Sequence, residues 1–198
     1  MGKSAWGEEA AATAGGDPPP VPTRQAPDAP PAEFVHLRHQ PAWPGPGARE
    51  LIVACPTMRS GVNLARIVRA AGCCGVRRMI VAGSMRIDPK VARDALEQIQ
   101  IARHRTLLPV LRKLRAEGYR LVGLEQAQGS VSIYDYRFPR RAVLLIGHER
   151  LGITPDLLPR LDEVVEIPIF GRPQAHNAAT AAAIAMHEYC RQWGAEAG

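Results

Sequence analysis

From residue 51 onward, short apolar runs alternate with stretches of helical periodicity. Leu51–Ala54 (LIVA), Met79–Ala82 (MIVA), Leu121–Leu124 (LVGL), Ala142–Ile146 (AVLLI) and Val164–Ile169 (VVEIPI) are nearly continuous in their apolar residues, the pattern of strands buried on both faces. Between the first two runs, SGVNLARIVRAAGC over 60–73 sets Val62, Ala65, Ile67, Val68 and Ala71 on one helical face. Asp88-Pro89 and Thr154-Pro155 each join a capping side chain to a proline at the first helical position, and the first of these predicts a helix over 89–98. Further helices are predicted over 106–117, stopped by Gly118, and over the alanine-rich 177–192. Strands alternating with helices give an α/β fold class, a mostly parallel sheet covered by helices on both faces.

Composition changes the picture mainly at the start of the chain. Ten of the 18 prolines fall within the first 46 residues, so 1–33 reads as a disordered Pro/Ala/Gly-rich tail that buries too little apolar surface to offset its ordering entropy. Residues 34–50 form a lead-in segment, with Phe34, Val35, Leu37 and Trp43 able to dock on a core, and 51–198 is the folded domain. The tail carries two basic and five acidic side chains, whereas 34–198 carries 23 basic and 14 acidic. The positive surplus therefore lies on the folded part, as expected of a protein that meets a polyanion. No apolar run approaches the ~20 residues of a membrane span, and no hydrophobic segment follows Lys3 as a secretory signal requires. Cys55, Cys73, Cys74 and Cys190 form no CxxC pair, which suits a reduced, cytoplasmic setting without a zinc ribbon or a disulfide framework.

There is no GxGxxG after a strand, no P-loop and no GxSxG elbow, and the six histidines have no metal-ligand spacing. Three polar clusters remain, each just beyond a predicted strand or at a helix start, where α/β sheets place function. They are Asn63–Arg69, the turn Gly147-His148-Glu149-Arg150-Leu151-Gly152, and Ile167-Pro168-Ile169 followed by Gly171 and Ala175-His176-Asn177. Taken singly each has a plain explanation: a helix start, a glycine turn, a capping asparagine.

Taken together, in order and spacing, they resemble the three motifs of the SpoU (TrmH) family of RNA ribose 2'-O-methyltransferases, within the SPOUT superfamily. The matching segments are N63-LARIV-R69-AAGCCG, LLIGHERLG and IPIFGRPQAHNAATAAA, and the resemblance covers about 50–192. It implies a C-terminal deep trefoil knot, which nothing in periodicity or composition shows. It also implies S-adenosylmethionine held largely by main-chain groups at Gly147, Ile167 and His176, with Ile169 flanking, and no metal. A homodimer with the active site at the subunit interface is implied too. The chemistry would be methyl transfer to a ribose 2'-hydroxyl, with Arg69 as the principal catalytic residue, Asn63 and Glu149 organising it and Asn177 beside it. Arg69 is either the base or, since a guanidinium with pKa above ~12 accepts protons poorly, the group that grips the adjacent phosphate and the developing alkoxide.

Two positions depart from the family pattern: His148 stands where Asn is usual, and Ala175 where Ser is usual. They support an alternative, a catalytically silent knotted RNA-binding protein that retains cofactor binding. A weaker alternative is a nucleotide-binding regulatory domain of ordinary open-sheet topology. The proline-rich start is too short to make a separate RNA-binding domain, which points to tRNA over rRNA as partner and to the domain's own arginines as phosphate contacts. Arg77, Arg78, Arg86, Arg103, Arg105, Arg137, Arg140 and Arg141 are candidates, helped by Lys3 and Arg24.

Overall fold

The computed structural model describes residues 50–194; the tail, nearly all of the lead-in segment and the last four residues lie outside the described residues. Seven strands form one wholly parallel sheet in the order β3-β2-β1-β6-β4-β7-β5. They are β1 (Glu50–Cys55), β2 (Arg78–Ala82), β3 (Gln100–His104), β4 (Arg120–Leu124), β5 (Val131–Ser132), β6 (Arg141–Ile146) and β7 (Glu163–Glu166). The helices are α1 (Gly61–Cys73), the single turns α2 (Pro89–Ala92) and α3 (Ala95–Gln98), α4 (Leu108–Ala116) and α5 (Ala178–Gly194).

Side chains alternate across the central strands and so feed two apolar layers. Leu51, Val53, Cys55, Ala142, Leu144 and Ile146 join the layer that packs with α1, α2, α3 and α5. Ile52, Ala54, Val143 and Leu145 join the layer under α4 and the 153–161 segment. Helices cover both faces, as the sequence predicts. Because the sheet is parallel, all strands end on one edge, and the order reverses beside β1: β2 lies on one side of it and β6 on the other. Crevices at such reversals are where open α/β sheets bind ligands.

Several boundaries differ from expectation for identifiable reasons. The predicted 89–98 helix is two turns broken at Arg93, whose φ of 51° belongs to a region that favours glycine. Thr154-Pro155 opens only one turn and a 3-10 stretch, Leu158–Arg160, because Pro159 has no N–H with which to continue a helix. The last strand stops at Glu166 rather than Ile169, with Pro168 just beyond. Val62 is 45% exposed, and Asn63 and Leu64 are buried in its stead. β3 and the two-residue β5 were not expected.

Candidate functional site

Three loops meet at the carboxyl edge of the sheet: the β1–α1 loop, the turn after β6 and the segment from β7 to α5. Ser60 caps α1, its Oγ accepting from Asn63 N at 3.2 Å. The Glu149 carboxylate docks on this helix start, accepting from Arg59 N (2.9 Å), Ser60 N (3.1 Å) and Asn63 Nδ2 (3.2 Å). An anion placed against exposed N–H groups at a helix N-terminus is favoured by both hydrogen bonding and the helix dipole. Asn63 Oδ1 in turn accepts from Asn177 Nδ2 at 3.2 Å, and Asn177 Oδ1 accepts from Ala179 N at 2.9 Å, capping α5. The chain of bonds fixes both amide orientations: Asn63 must present nitrogen to the carboxylate and oxygen to Asn177. Glu149, Asn63 and Asn177 thus form one linkage across segments remote in sequence.

Burial alone would raise the Glu149 pKa. The hydrogen bonds from Arg59 N, its own N–H, Asn63 and Ser60 outweigh this and hold it below 4.5. An ionised carboxylate with its lone pairs so engaged is an anchor and a poor proton acceptor. Beneath it, burial first and the charge of Glu149 second push the Cys55 thiol up to about 12, which keeps it protonated and excludes it as a nucleophile.

The turn carrying Glu149 is closed by paired backbone bonds between His148 and Gly152, both 3.0 Å. His148 Nδ1 accepts from Arg150 N (3.1 Å) and Leu151 N (3.2 Å), so the neutral ring carries its proton on Nε2. These are bonds that an asparagine Oδ1 would accept from the same point beyond Cβ, which explains how histidine replaces asparagine here. Gly152 has a φ of 63°, and a Cβ there would collide with Glu125 Oε2. Glu125, at the end of β4, accepts from Ile153 N at 2.7 Å and ties the turn to the neighbouring strand. It is not among the residues singled out from the sequence, although a polar residue directly beyond a strand run is the signal that marks the Gly147–Gly152 turn.

A cleft of about 260 Å³ opens between the turn after β6, the segment from β7 to α5 and the end of β4, and Gly147, Ile167, Ile169 and His176 all line it, as do Glu125 and Ala175. Arg69 stands apart. It is exposed on the outer stripe of α1 with Val62, Arg66 and Cys73, turned away from Asn63, and forms no hydrogen bond or ion pair with any described residue. The expectation that Asn63 and Glu149 organise Arg69 is not met within one chain; they organise Asn177 and the helix starts.

The eight arginines considered for phosphate contact divide between the two ends of the sheet. Arg86, Arg103 and Arg105 fall at the carboxyl edge with the cleft. Arg77, Arg78, Arg137, Arg140 and Arg141 fall at the amino edge, where Arg141 pairs with Glu50 at 2.7 Å and lies over Tyr119, and Arg137 lies over Trp193. Cys55 and Cys73 are free thiols. Among the described residues there is no cluster of three or more metal-ligating side chains, and no helix long and apolar enough to cross a membrane.

Residues 50–187 match the sequence profile of the SpoU rRNA Methylase family. A tRNA (guanosine(18)-2'-O)-methyltransferase of Mus musculus is 30% identical over 154 residues, 75% of this chain but 10% of that protein. The Escherichia coli K12 enzyme of the same name is 27% identical over 146 residues, 72% of this chain and 64% of its own length. Among solved structures, the SpoU methyltransferase AviRb of Streptomyces viridochromogenes in complex with AdoMet superposes with TM-score 0.64 and 28% identity, covering 74% of this chain and 59% of that one. The A. aeolicus TrmH/SpoU tRNA modifying enzyme shares the fold, with TM-score 0.70 at 22% identity over 75% of this chain and 77% of that one.

Proposed function

Because the chain belongs to the SpoU rRNA Methylase family, we propose that it transfers a methyl group from S-adenosylmethionine to a ribose 2'-hydroxyl of RNA, with tRNA favoured over rRNA. The observation that carries the reading is the Glu149–Asn63–Asn177 linkage, which joins the three motif segments at the carboxyl edge of the sheet, two of them lining the cleft. The cleft suits the cofactor. Ile146, Ile167 and Ile169 offer apolar wall to an adenine ring, and Glu125, Glu149 and Glu166, though each is hydrogen-bonded within the protein, give the lining a negative potential that suits a ligand with a sulfonium and an ammonium.

When bound, S-adenosylmethionine supplies a methyl on a positively charged sulfur, open to in-line displacement by an alcohol oxygen. Main-chain groups at Gly147, Ile167 and His176, which line the cleft, would hold it. Glu149 and Asn63 lock the His148–Gly152 turn against the start of α1, so that one wall of the cleft is preformed; such preorganisation favours a near-attack approach of about 3–3.5 Å. Proton loss from the 2'-hydroxyl is assisted by Arg69 of a second subunit, which binds the neighbouring phosphate and the developing alkoxide. The dimeric reading is supported by Arg69 and Val62 sharing the exposed stripe of α1. The trefoil knot is part of the same reading. Supporting it, β6 enters between β1 and β4, and β7 between β4 and β5, after most of the sheet has been laid down in chain order.

Ala175 lines the cleft where the family pattern has a hydroxyl, and this favours a second reading, a silent RNA binder that keeps the cofactor. Methyl transfer from labelled S-adenosylmethionine to bulk tRNA and rRNA separates the two. We expect label in tRNA, lost with Arg69→Ala. No label in any RNA, with S-adenosylhomocysteine still bound, would overturn the enzymatic reading.

A further inference from the structure

Phe170 is 93% exposed, whereas Phe138 is wholly buried. It follows Ile169, which lines the cleft, and precedes Gly171 and the exposed Arg172, on a loop stiffened by Pro168 and Pro173. Across the cleft, the turn that bears Arg150 carries Leu151, 71% exposed. The two loops that flank the cleft thus each present an uncovered apolar side chain beside an arginine.

The charge around them is one-sided in its availability. Arg59, Arg86, Arg105, Arg150 and Arg172 all lie on loops at the carboxyl edge, and none forms an ion pair among the described residues. Of the carboxylates on the same loops, Asp88, Glu125 and Glu149 are turned onto backbone N–H groups and Asp156 stays exposed, one carboxylate against five guanidiniums. An uncovered aromatic ring on a loop flanked by guanidiniums without ion pairs fits unstacked single-stranded RNA, whose bases stack on aromatic faces while phosphates take the arginines. A contact of this patch with its own copy would set these guanidiniums against themselves, so the subunit contact of the dimeric reading falls to the stripe of α1 and leaves this patch to RNA.

We propose that Phe170 is the platform on which a base at or next to the methylated nucleotide stacks, with Arg150 and Arg172 holding the flanking phosphates. The inference rests on the RNA methyltransferase reading for the identity of its ligand. RNA held this way presents its ribose at the mouth of the cleft, and stacking on a flat face tolerates sequence, so backbone shape rather than base edges would select the target.

The test compares wild type, Phe170→Ala, Phe170→Leu and Phe170→Trp in the full chain. Binding of bulk tRNA and methyl transfer are measured with S-adenosylhomocysteine affinity and sedimentation alongside. We expect Phe170→Ala to weaken tRNA binding about 5- to 150-fold, the range reported for loss of one base–aromatic stack, with cofactor affinity and sedimentation unchanged. Phe170→Trp should restore binding with quenched tryptophan emission, and Phe170→Leu should not restore it. Unchanged tRNA binding by Phe170→Ala, full rescue by Phe170→Leu, or a change in sedimentation would overturn the proposal. If wild type binds tRNA through Phe170 but transfers no methyl, the enzymatic reading falls and the platform stands. If it methylates tRNA with Phe170→Ala equally active, the platform falls alone. If wild type binds no RNA, both fall.

Discussion

Replacing Glu149 by glutamine keeps its shape but removes its charge and turns one acceptor oxygen into a donor. Three donors converge on the carboxylate: Arg59 N on Oε2, and Ser60 N and Asn63 Nδ2 on Oε1. Glutamine can serve the pair on Oε1 only by facing its NH2 toward Arg59 N–H. One charge-assisted bond is then lost, at about 1.5–3 kcal/mol, and two fall to neutral strength, at about 1 kcal/mol each. Water reaches the Arg59 bond, so a net loss of about 2–3 kcal/mol is expected. With a urea m-value of about 2 kcal/mol/M, the unfolding midpoint at pH 7 should drop by about 1 M or more. The pH dependence has a definite sign. The folded-state pKa of Glu149 lies below 4.5, so its stabilisation is complete above the unfolded value and is lost as pH falls through the lowered one. The stability gap between wild type and Glu149→Gln should therefore be flat from pH 7 to about 5 and close at more acid pH. An unchanged midpoint, or a gap that persists in acid, would refute the linkage as an anchor.

His148→Asn should retain both the fold and methyl transfer, since Oδ1 replaces Nδ1 as acceptor for Arg150 N and Leu151 N; His148→Leu should lose roughly tenfold or more in S-adenosylhomocysteine affinity by calorimetry, as two turn bonds of about 1 kcal/mol each disappear. Arg93→Gly should raise the thermal midpoint, because relief of a φ of 51° at about 1–3 kcal/mol exceeds the 0.5–1 kcal/mol or so of added chain entropy; a lowered midpoint would mean Arg93 is unstrained.

The sequence makes the central strands legible because β1, β2, β4 and β6 are buried on both faces, so each is written as an apolar run. β3 escapes for the converse reason. It is an edge strand whose residues, Gln-Ile-Ala-Arg-His, are exposed or half-buried, and nothing obliges them to be apolar. The break at Arg93 has no local signature, since neither glycine nor asparagine marks it. Of the site, Asn63, Glu149 and Asn177 are legible by spacing, but not that they bind one another across segments 86 to 114 residues apart. Glu125 stands directly beyond the LVGL run and so is visible as a candidate, but its bond to Ile153 N, a backbone group, leaves no trace in sequence.

The strand order also bears on how the molecule comes into being. β1 cannot complete its pairing until β6 exists, since Glu50 lies against Arg141, and β4 waits likewise for β7. A chain emerging from its N-terminus holds an unfilled slot between β1 and β4 until β5 and then β6 have been made, with bare strand edges on either side. Pairings of such long sequence separation fold slowly. Every wall of the cleft comes from residue 124 onward, so ligand can reward folding only at its last step. Cofactor binding then acts as a late lock on the finished sheet, and nascent chains are exposed to misassociation for most of their synthesis.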